Sequence, residues 1–293
     1  MEKVGYNTFF TLEEAKAQAA AKHMECRRVF QRMSARTKDA MFVSHSTLLQ
    51  LKGMIATMDF RPEYNPDLIH VTVEDRSDLR RIAGMKFHYW KQDIDVIELD
   101  ELVSGVSAMQ AVCQLAQYTD LTSLVVAMDW LTCANKDLRV CTHQELVDYI
   151  DGLGKFVGGP LCRRALRLSK EGTDSPQETI LRLAGNEYGL PEAEVNYELF
   201  DHIRGSGTLK VDIAYPDDHV CIEYDGRYHY TQDRWEADLE KRNRIKDLGM
   251  MPFVATRKTL ATKESRNEFF AMVARAIAEY RREGRFVSSV GGF

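Results

Sequence analysis

Two short runs, residues 209–215 and 219–225, alternate apolar and polar side chains on either side of Pro216-Asp217-Asp218. Period-two alternation sends successive side chains to opposite faces of a strand, and a tight polar turn between two such runs makes a β-hairpin. Along the second run Val220, Ile222 and Tyr224 share one face, while Cys221, Glu223 and Asp225 share the other. In the first run Asp212 sits between Val211 and Ile213 and projects opposite to them, with Lys210 on its own face. A simple hairpin register then brings Asp212 near Glu223. Any fold of this chain must therefore place carboxylates on a half-buried sheet.

The elements around the hairpin extend this constraint. Glu171 to Pro176 gathers Gly, Pro and capping residues and marks a domain boundary. After it the pattern predicts a helix over 176–188, with Ser175 as N-cap and Gly189 as its stop. A strand over 195–200, the hairpin, a helix over 232–248, a strand over 252–256 and a final helix over 259–282 follow. Before the boundary, helices are expected over 11–36, 106–115, 121–134, 142–150 and 161–168. Strands are expected at 69–73, 87–90 and 94–99, with a strand entering a helix over 42–48. The class is α/β (α+β). A mixed sheet flanked by helices forms the domain 171–293, and an α/β domain spans 1–170.

Composition narrows the function classes. Apolar residues make up 44% and charged residues 28%, as in ordinary globular proteins. The net charge of −5 excludes a strongly basic nucleic-acid binder, so any such contact must come from a local patch. The acidic excess lies wholly in residues 171–293, which carry 17 basic and 22 acidic side chains. The six cysteines show neither C-x-x-C pairs nor zinc-site spacing, and read as buried reduced thiols. No N-terminal apolar segment reads as a signal peptide, and no run nears the ~20 apolar residues that span a bilayer. A cytoplasmic protein without membrane contact is expected.

Converging carboxylates repel one another and are costly when half-buried, unless protonated or neutralised by a cation. A hard divalent cation with oxygen ligands is the natural neutraliser, and Mg²⁺ on one or two carboxylates suits phosphoryl chemistry. The plainer reading makes Glu178 a helix-N-terminal acid favoured by the dipole, and Asp217, Asp218 and Asp225 turn residues.

The ordered set Ser175-Pro176-Gln177-Glu178-Thr179, Val211-Asp212-Ile213-Ala214-Tyr215-Pro216 and Ile222-Glu223-Tyr224-Asp225-Gly226 with His229 resembles the DUF559 family. That family is related to the very-short-patch-repair endonucleases of the PD-(D/E)xK nuclease superfamily. Arg234-Trp235-Glu236-Ala237-Asp238, Arg242-Asn243 and Gly249 extend the likeness, which covers residues 171–285. The resemblance implies a restriction-endonuclease-like sheet and a Mg²⁺- or Mn²⁺-dependent endonuclease acting on DNA. Asp212 and Glu223 would bind metal, with the Tyr224 carbonyl as a third ligand and Glu178 as the acid on the first core helix. Where the superfamily usually has Lys, this chain has Asp225. His229 could activate water in its place, and Lys210 is another candidate for stabilising transition-state charge. Arg234, Lys241 and Arg242 on the following helix could meet phosphates, though such a run is also an ordinary solvated face. The alternative is a non-catalytic DNA-binding antitoxin-type regulator that keeps a decayed nuclease fold and has a toxin partner.

In the first half, Val43-Ser44-His45-Ser46-Thr47 and the strands at 69–73 and 94–99 resemble the C-terminal part of AbiEi-type antitoxins. Ser44-His45-Ser46 reads as a helix-entry cap and His45 only as a guess at function. Tyr89, Trp90 and Trp130 read as core. No nucleophile motif, P-loop or dinucleotide fingerprint occurs there.

Overall fold

A computed structural model describes residues 12–34, 40–54, 58–203, 205, 207–226 and 232–290; side chains at 12, 34, 232–235 and 284–290 are not described. The protein is mixed α/β, with two mixed sheets of five and four strands. The chain forms two compact units, one within Phe10–Glu171 and one within Gly172–Phe293. Among the described residues no helix is long and apolar enough to cross a membrane. All six cysteines are free and buried.

In the first unit α1 (Leu12–Ser34) precedes β1 (Phe42–Val43), which leads directly into α2 (His45–Leu51). Three strands follow, β2 (Ile69–Val73), β3 (Met85–Tyr89) and β4 (Val96–Glu98), and then β5 (Ser104–Val106). Four helices complete the unit: α3 (Ala108–Leu115), α4 (Leu121–Leu131), α5 (His143–Gly152) and α6 (Gly159–Leu168). The sheet order is β3-β2-β1-β5-β4, with β2–β3 and β1–β5 parallel and the other pairs antiparallel. Thr142 and Glu145 form the reciprocal capping box at the start of α5.

The helix expected over 106–115 starts two residues later, at Ala108, because the unexpected strand β5 runs through Val106. Only glycine fits its centre: a Cβ on Gly105 would stand 2.8 Å from Leu48 Cδ1 and 3.0 Å from the Val43 carbonyl oxygen. That close approach lets β5 pair with β1 beneath α2. Gly105→Ala should destabilise this unit by about 1–3 kcal/mol, the usual effect of overpacking, read from the denaturant midpoint. An unchanged midpoint would show that the contact relaxes freely.

The second unit starts with α7 (Pro176–Tyr188) and then forms β6 (Glu194–Phe200), β7 (Thr208–Tyr215) and β8 (Val220–Asp225). After these come α8 (Gln232–Asp247), β9 (Met251–Thr256), α9 (Arg257–Ala261) and α10 (Lys263–Val290). The strand order is β6-β7-β8-β9, antiparallel except for the parallel β8–β9 pair. One face packs Ile213, Tyr215, Val220 and Ile222 against Leu181 of α7 and Phe269, Phe270 and Val273 of α10. The other packs Val211, Ala214 and Cys221 against Ile245 of α8. Each fully buried side chain of this size contributes roughly 1.5–3 kcal/mol relative to exposure.

The expected single helix over 259–282 is broken at Thr262. There the Ser265 N–H donates to Thr262 Oγ1 (3.1 Å) and the Thr262 N–H to Ser265 Oγ (3.2 Å). This reciprocal cap competes with continuing α9 and starts α10 afresh.

Candidate active site

The hairpin register pairs Ile213 with Ile222, Ala214 with Cys221 and Tyr215 with Val220. One step further, Asp212 would face Glu223, and there the ladder ends. The Asp212 carboxylate, instead of a backbone carbonyl, accepts the Tyr224 N–H at 2.7 Å. The two strands part around this bond and open a cavity of about 160 Å³. Asp212, Glu223 and Asp225 line it from the sheet, and Asp238, Lys241 and Arg242 line it from α8. The three α8 residues fall at i, i+3 and i+4, one face of the helix.

Burial raises the proton affinity of both central carboxylates. Glu223 is pushed up first by burial and second by the Asp212 charge, against the pull of Lys241. Asp212 is likewise pushed up by burial, against its bond to the Tyr224 N–H and the Lys241 charge. Lys241 Nζ lies 2.5 Å from Glu223 Oε2, while Glu223 Oε1 is buried with no hydrogen-bond partner among the described residues. Arg242 Nη2 is 3.8 Å from Asp225 Oδ2.

Glu178 is not among the residues that line this cavity, although the Asp212 charge reaches its carboxyl. Its Oε2 accepts the Asp174 N–H and its Oε1 the Ser175 hydroxyl, both at 2.8 Å. The Ser175 hydroxyl oxygen accepts the Glu178 N–H at the start of α7, and Pro176 opens the helix. Burial, with the Asp212 charge second, pushes the Glu178 carboxyl up to about 8. Among the described residues no group of three or more His, Cys, Asp or Glu side chains is placed to hold a metal ion. Of the expected set of Asp212, Glu223 and Glu178, the cavity lining brings Asp212 and Glu223 together, while the Glu178 oxygens accept hydrogen bonds at its own helix entry.

The remaining expected residues divide. Lys210 turns away from the cavity to Asp174, at 2.6 Å, and is largely exposed. Lys241, expected at a phosphate-facing surface, has its ammonium group on Glu223 instead. Tyr224 contributes its N–H to Asp212, and its ring packs against the α7–α10 core. His229 and the Arg234 side chain lie outside the described residues. Asp238 was missed as a wall of the cavity, although its spacing to Lys241 and Arg242 was available in the sequence.

No family model, curated protein or solved structure matches this chain. Two neighbouring carboxylates, one of them with a buried oxygen that has no partner among the described residues, form an all-oxygen set suited to a hard cation. Mg²⁺ characteristically binds through one or two carboxylates and keeps several waters, so the pair suffices.

Proposed function

We propose that the Gly172–Phe293 unit is a metal-dependent phosphodiesterase acting on DNA, a member of the DUF559-like branch of the PD-(D/E)xK nucleases. The observation that carries this reading is the meeting of Asp212 and Glu223 in one cavity, with a buried Glu223 oxygen that has no partner among the described residues. Asp212 and Glu223 would hold Mg²⁺ or Mn²⁺, with the Tyr224 carbonyl as a further oxygen. When bound, the ion would polarise a phosphoryl oxygen and lower the pKa of water. Arg242 stands at the same cavity, where it can hold a phosphate oxygen. Lys241, held by Glu223, adds fixed positive charge near the scissile group. It is a stronger candidate than Lys210 for the charge that Asp225 does not supply.

A second reading is favoured by one observation. The contact from Lys241 to Glu223 neutralises the carboxylate pair without any metal, as a decayed site would. The chain would then be a DNA-binding, antitoxin-type regulator with a toxin partner.

The test is nicking of supercoiled plasmid by the full chain with Mg²⁺ or Mn²⁺, with a chelator control. Asp212→Ala or Glu223→Ala should each lower the rate by at least ~10³, since each removes a metal ligand. Activity that survives both substitutions overturns the site. No nicking with either ion overturns the enzyme reading and favours the regulator.

A further inference from the structure

The Phe10–Glu171 unit holds a second, larger cavity of about 560 Å³, within the range of small-molecule sites. Its inner wall is polar and buried. His45 stacks on His88 with ring centroids 3.8 Å apart. His88 Nε2 meets His70 Nδ1 at 2.8 Å, and His88 Nδ1 meets the Tyr118 hydroxyl at 3.2 Å. The Ser44 hydroxyl holds His45 Nδ1 at 2.8 Å. Ser44 stands at the N-cap of α2 as expected, but its hydroxyl holds an imidazole in place of a helix N–H.

Three polar groups on this wall lack partners among the described residues: His45 Nε2, Trp90 Nε1 and both amide atoms of Gln114. Their residues are all buried and all line the cavity. Each unsatisfied buried group costs about 1–3 kcal/mol. His45 also takes φ +53°, a conformation L residues rarely adopt. Such strain at a cavity wall is held by its surroundings and points to a use. Burial keeps the wall neutral: His70 is lowered to about 4, His88 to about 3, and His45 well below its ordinary value.

The outer part differs in charge. Arg76, Lys86, Lys91 and Lys155 line it, and no acid is among the described lining residues. Aromatic surface lies between the two parts. The Trp90 and Phe156 ring centroids are 5.6 Å apart, and the Arg76 guanidinium sits 4.8 Å from the centre of the Tyr89 ring.

A neutral wall with a free amide, aromatic sides and a cationic rim matches a ligand with an uncharged heterocycle and an anionic tail. A glutamine amide can pair with the edge of a purine, aromatic rings stack on bases, and lysines meet phosphate. We propose that this cavity binds a nucleotide, base against Gln114 and His45 and phosphate against Lys86 and Lys155. The nucleotide is either free or part of a single strand.

Calorimetric titration of the full chain with AMP, adenosine and inorganic phosphate tests this. Chelator in the buffer removes any ion-dependent binding at Asp212 and Glu223, so the outcome is separate from that of the nuclease assay. AMP should bind saturably, with adenosine at least ~10-fold weaker, as for the loss of a charge-assisted contact. The exposed double change Lys86→Gln/Lys155→Gln should bring AMP down to the affinity of adenosine. Gln114→Met, similar in volume, should erase any difference between AMP, GMP and CMP. A short single strand that competes with AMP and is weakened by the same double change identifies the strand as the source. Failure of that competition leaves the free nucleotide. The proposal falls if no mononucleotide binds, if phosphate binds as tightly as AMP, or if both variants bind AMP like the wild type.

Discussion

Lowering the pH from 7 to 5 should loosen the Phe10–Glu171 unit and tighten the Gly172–Phe293 unit. In the first, His45, His70 and His88 are held neutral by burial, and the charges that reach His70 and His88 include Lys86, also positive. Their folded pKa values lie below the unfolded value, so the unfolded chain takes up protons first as the pH falls. Stability is fully present above about 6.5 and is lost as the pH falls toward 4 and 3. By pH 5 keeping His70 and His88 neutral costs about 2 kcal/mol each and about 4 together, a large part of the stability of a domain, and His45 acts in the same direction.

The sign reverses in the second unit. Glu178, with its carboxyl at about 8, keeps its proton in the fold while the unfolded chain releases it near 4.5. Its contribution is complete below 4.5 and is lost as the pH rises toward 8, about 3 kcal/mol by pH 7. The raised carboxyls of Asp212 and Glu223 act in the same direction. Hydrogen exchange resolved by peptide reads the units separately. Between pH 7 and 5, and after correction for intrinsic rates, β2 and β3 should lose protection while β7 and β8 gain it. Glu178→Gln should flatten the second trend. Protection that moves the same way in both units would contradict the assignment of buried neutral histidines and buried proton-binding carboxyls.

The elements legible in the sequence are those whose signals are local. Helix α7 starts at the Ser175 cap with Pro176 in its first turn, and ends at Gly189, which takes φ +86°. The hairpin follows from alternation, and Asp212 and Glu223 meet in one cavity, but period two breaks at Asp212: Val211 packs with the α8 side and Ile213 with the α7–α10 side, where the expectation had both on one face. The histidine wall was hidden because its members come from separate segments. His70 and His88 stand 18 residues apart and meet through the parallel β2–β3 pairing. Alternation in Ile69-His70-Val71-Thr72-Val73 marked a strand but not its burial, and all five residues, His70 and Thr72 included, are buried. The Ser44-His45-Ser46 triplet does enter a helix, with Ser44 at the N-cap, but tertiary structure takes the hydroxyls: Ser44 Oγ meets His45 Nδ1 and Ser46 Oγ meets the Tyr64 hydroxyl at 2.6 Å. For the same reason Lys241 could be placed on a helix face but not on Glu223. An ion pair spanning 18 residues depends on how α8 crosses the sheet.

Lys241→Met should tighten divalent-ion binding in the Asp212–Glu223 cavity while lowering the rate of DNA cleavage. At present the ammonium group at 2.5 Å from Glu223 Oε2 supplies the cation that the buried carboxylates need. A divalent ion entering the cavity must share that carboxylate with a positive charge. At an effective dielectric of 20, a double charge ~5 Å from a single like charge is opposed by several kcal/mol, much of it relieved by solvent and side-chain movement. Removing the lysine should therefore strengthen Mn²⁺ binding by at least ~10-fold, measured by calorimetry or by the spin signal of free Mn²⁺. Without metal, the same change leaves two buried carboxylates facing each other. Folding of this unit should then become strongly dependent on divalent ions, with a metal-induced rise in Tm larger than in the wild type. Under the nuclease reading the rate at saturating metal should still fall, by roughly 10²-fold, because fixed positive charge near the scissile phosphate is lost. Lys241→Arg should restore part of the rate, a rescue that a purely structural lysine would not show. Tighter Mn²⁺ binding with an unchanged rate would make Lys241 a placeholder for the ion and nothing more. Unchanged Mn²⁺ affinity would mean that the ion does not bind at Glu223, and the proposed metal site would fall with it.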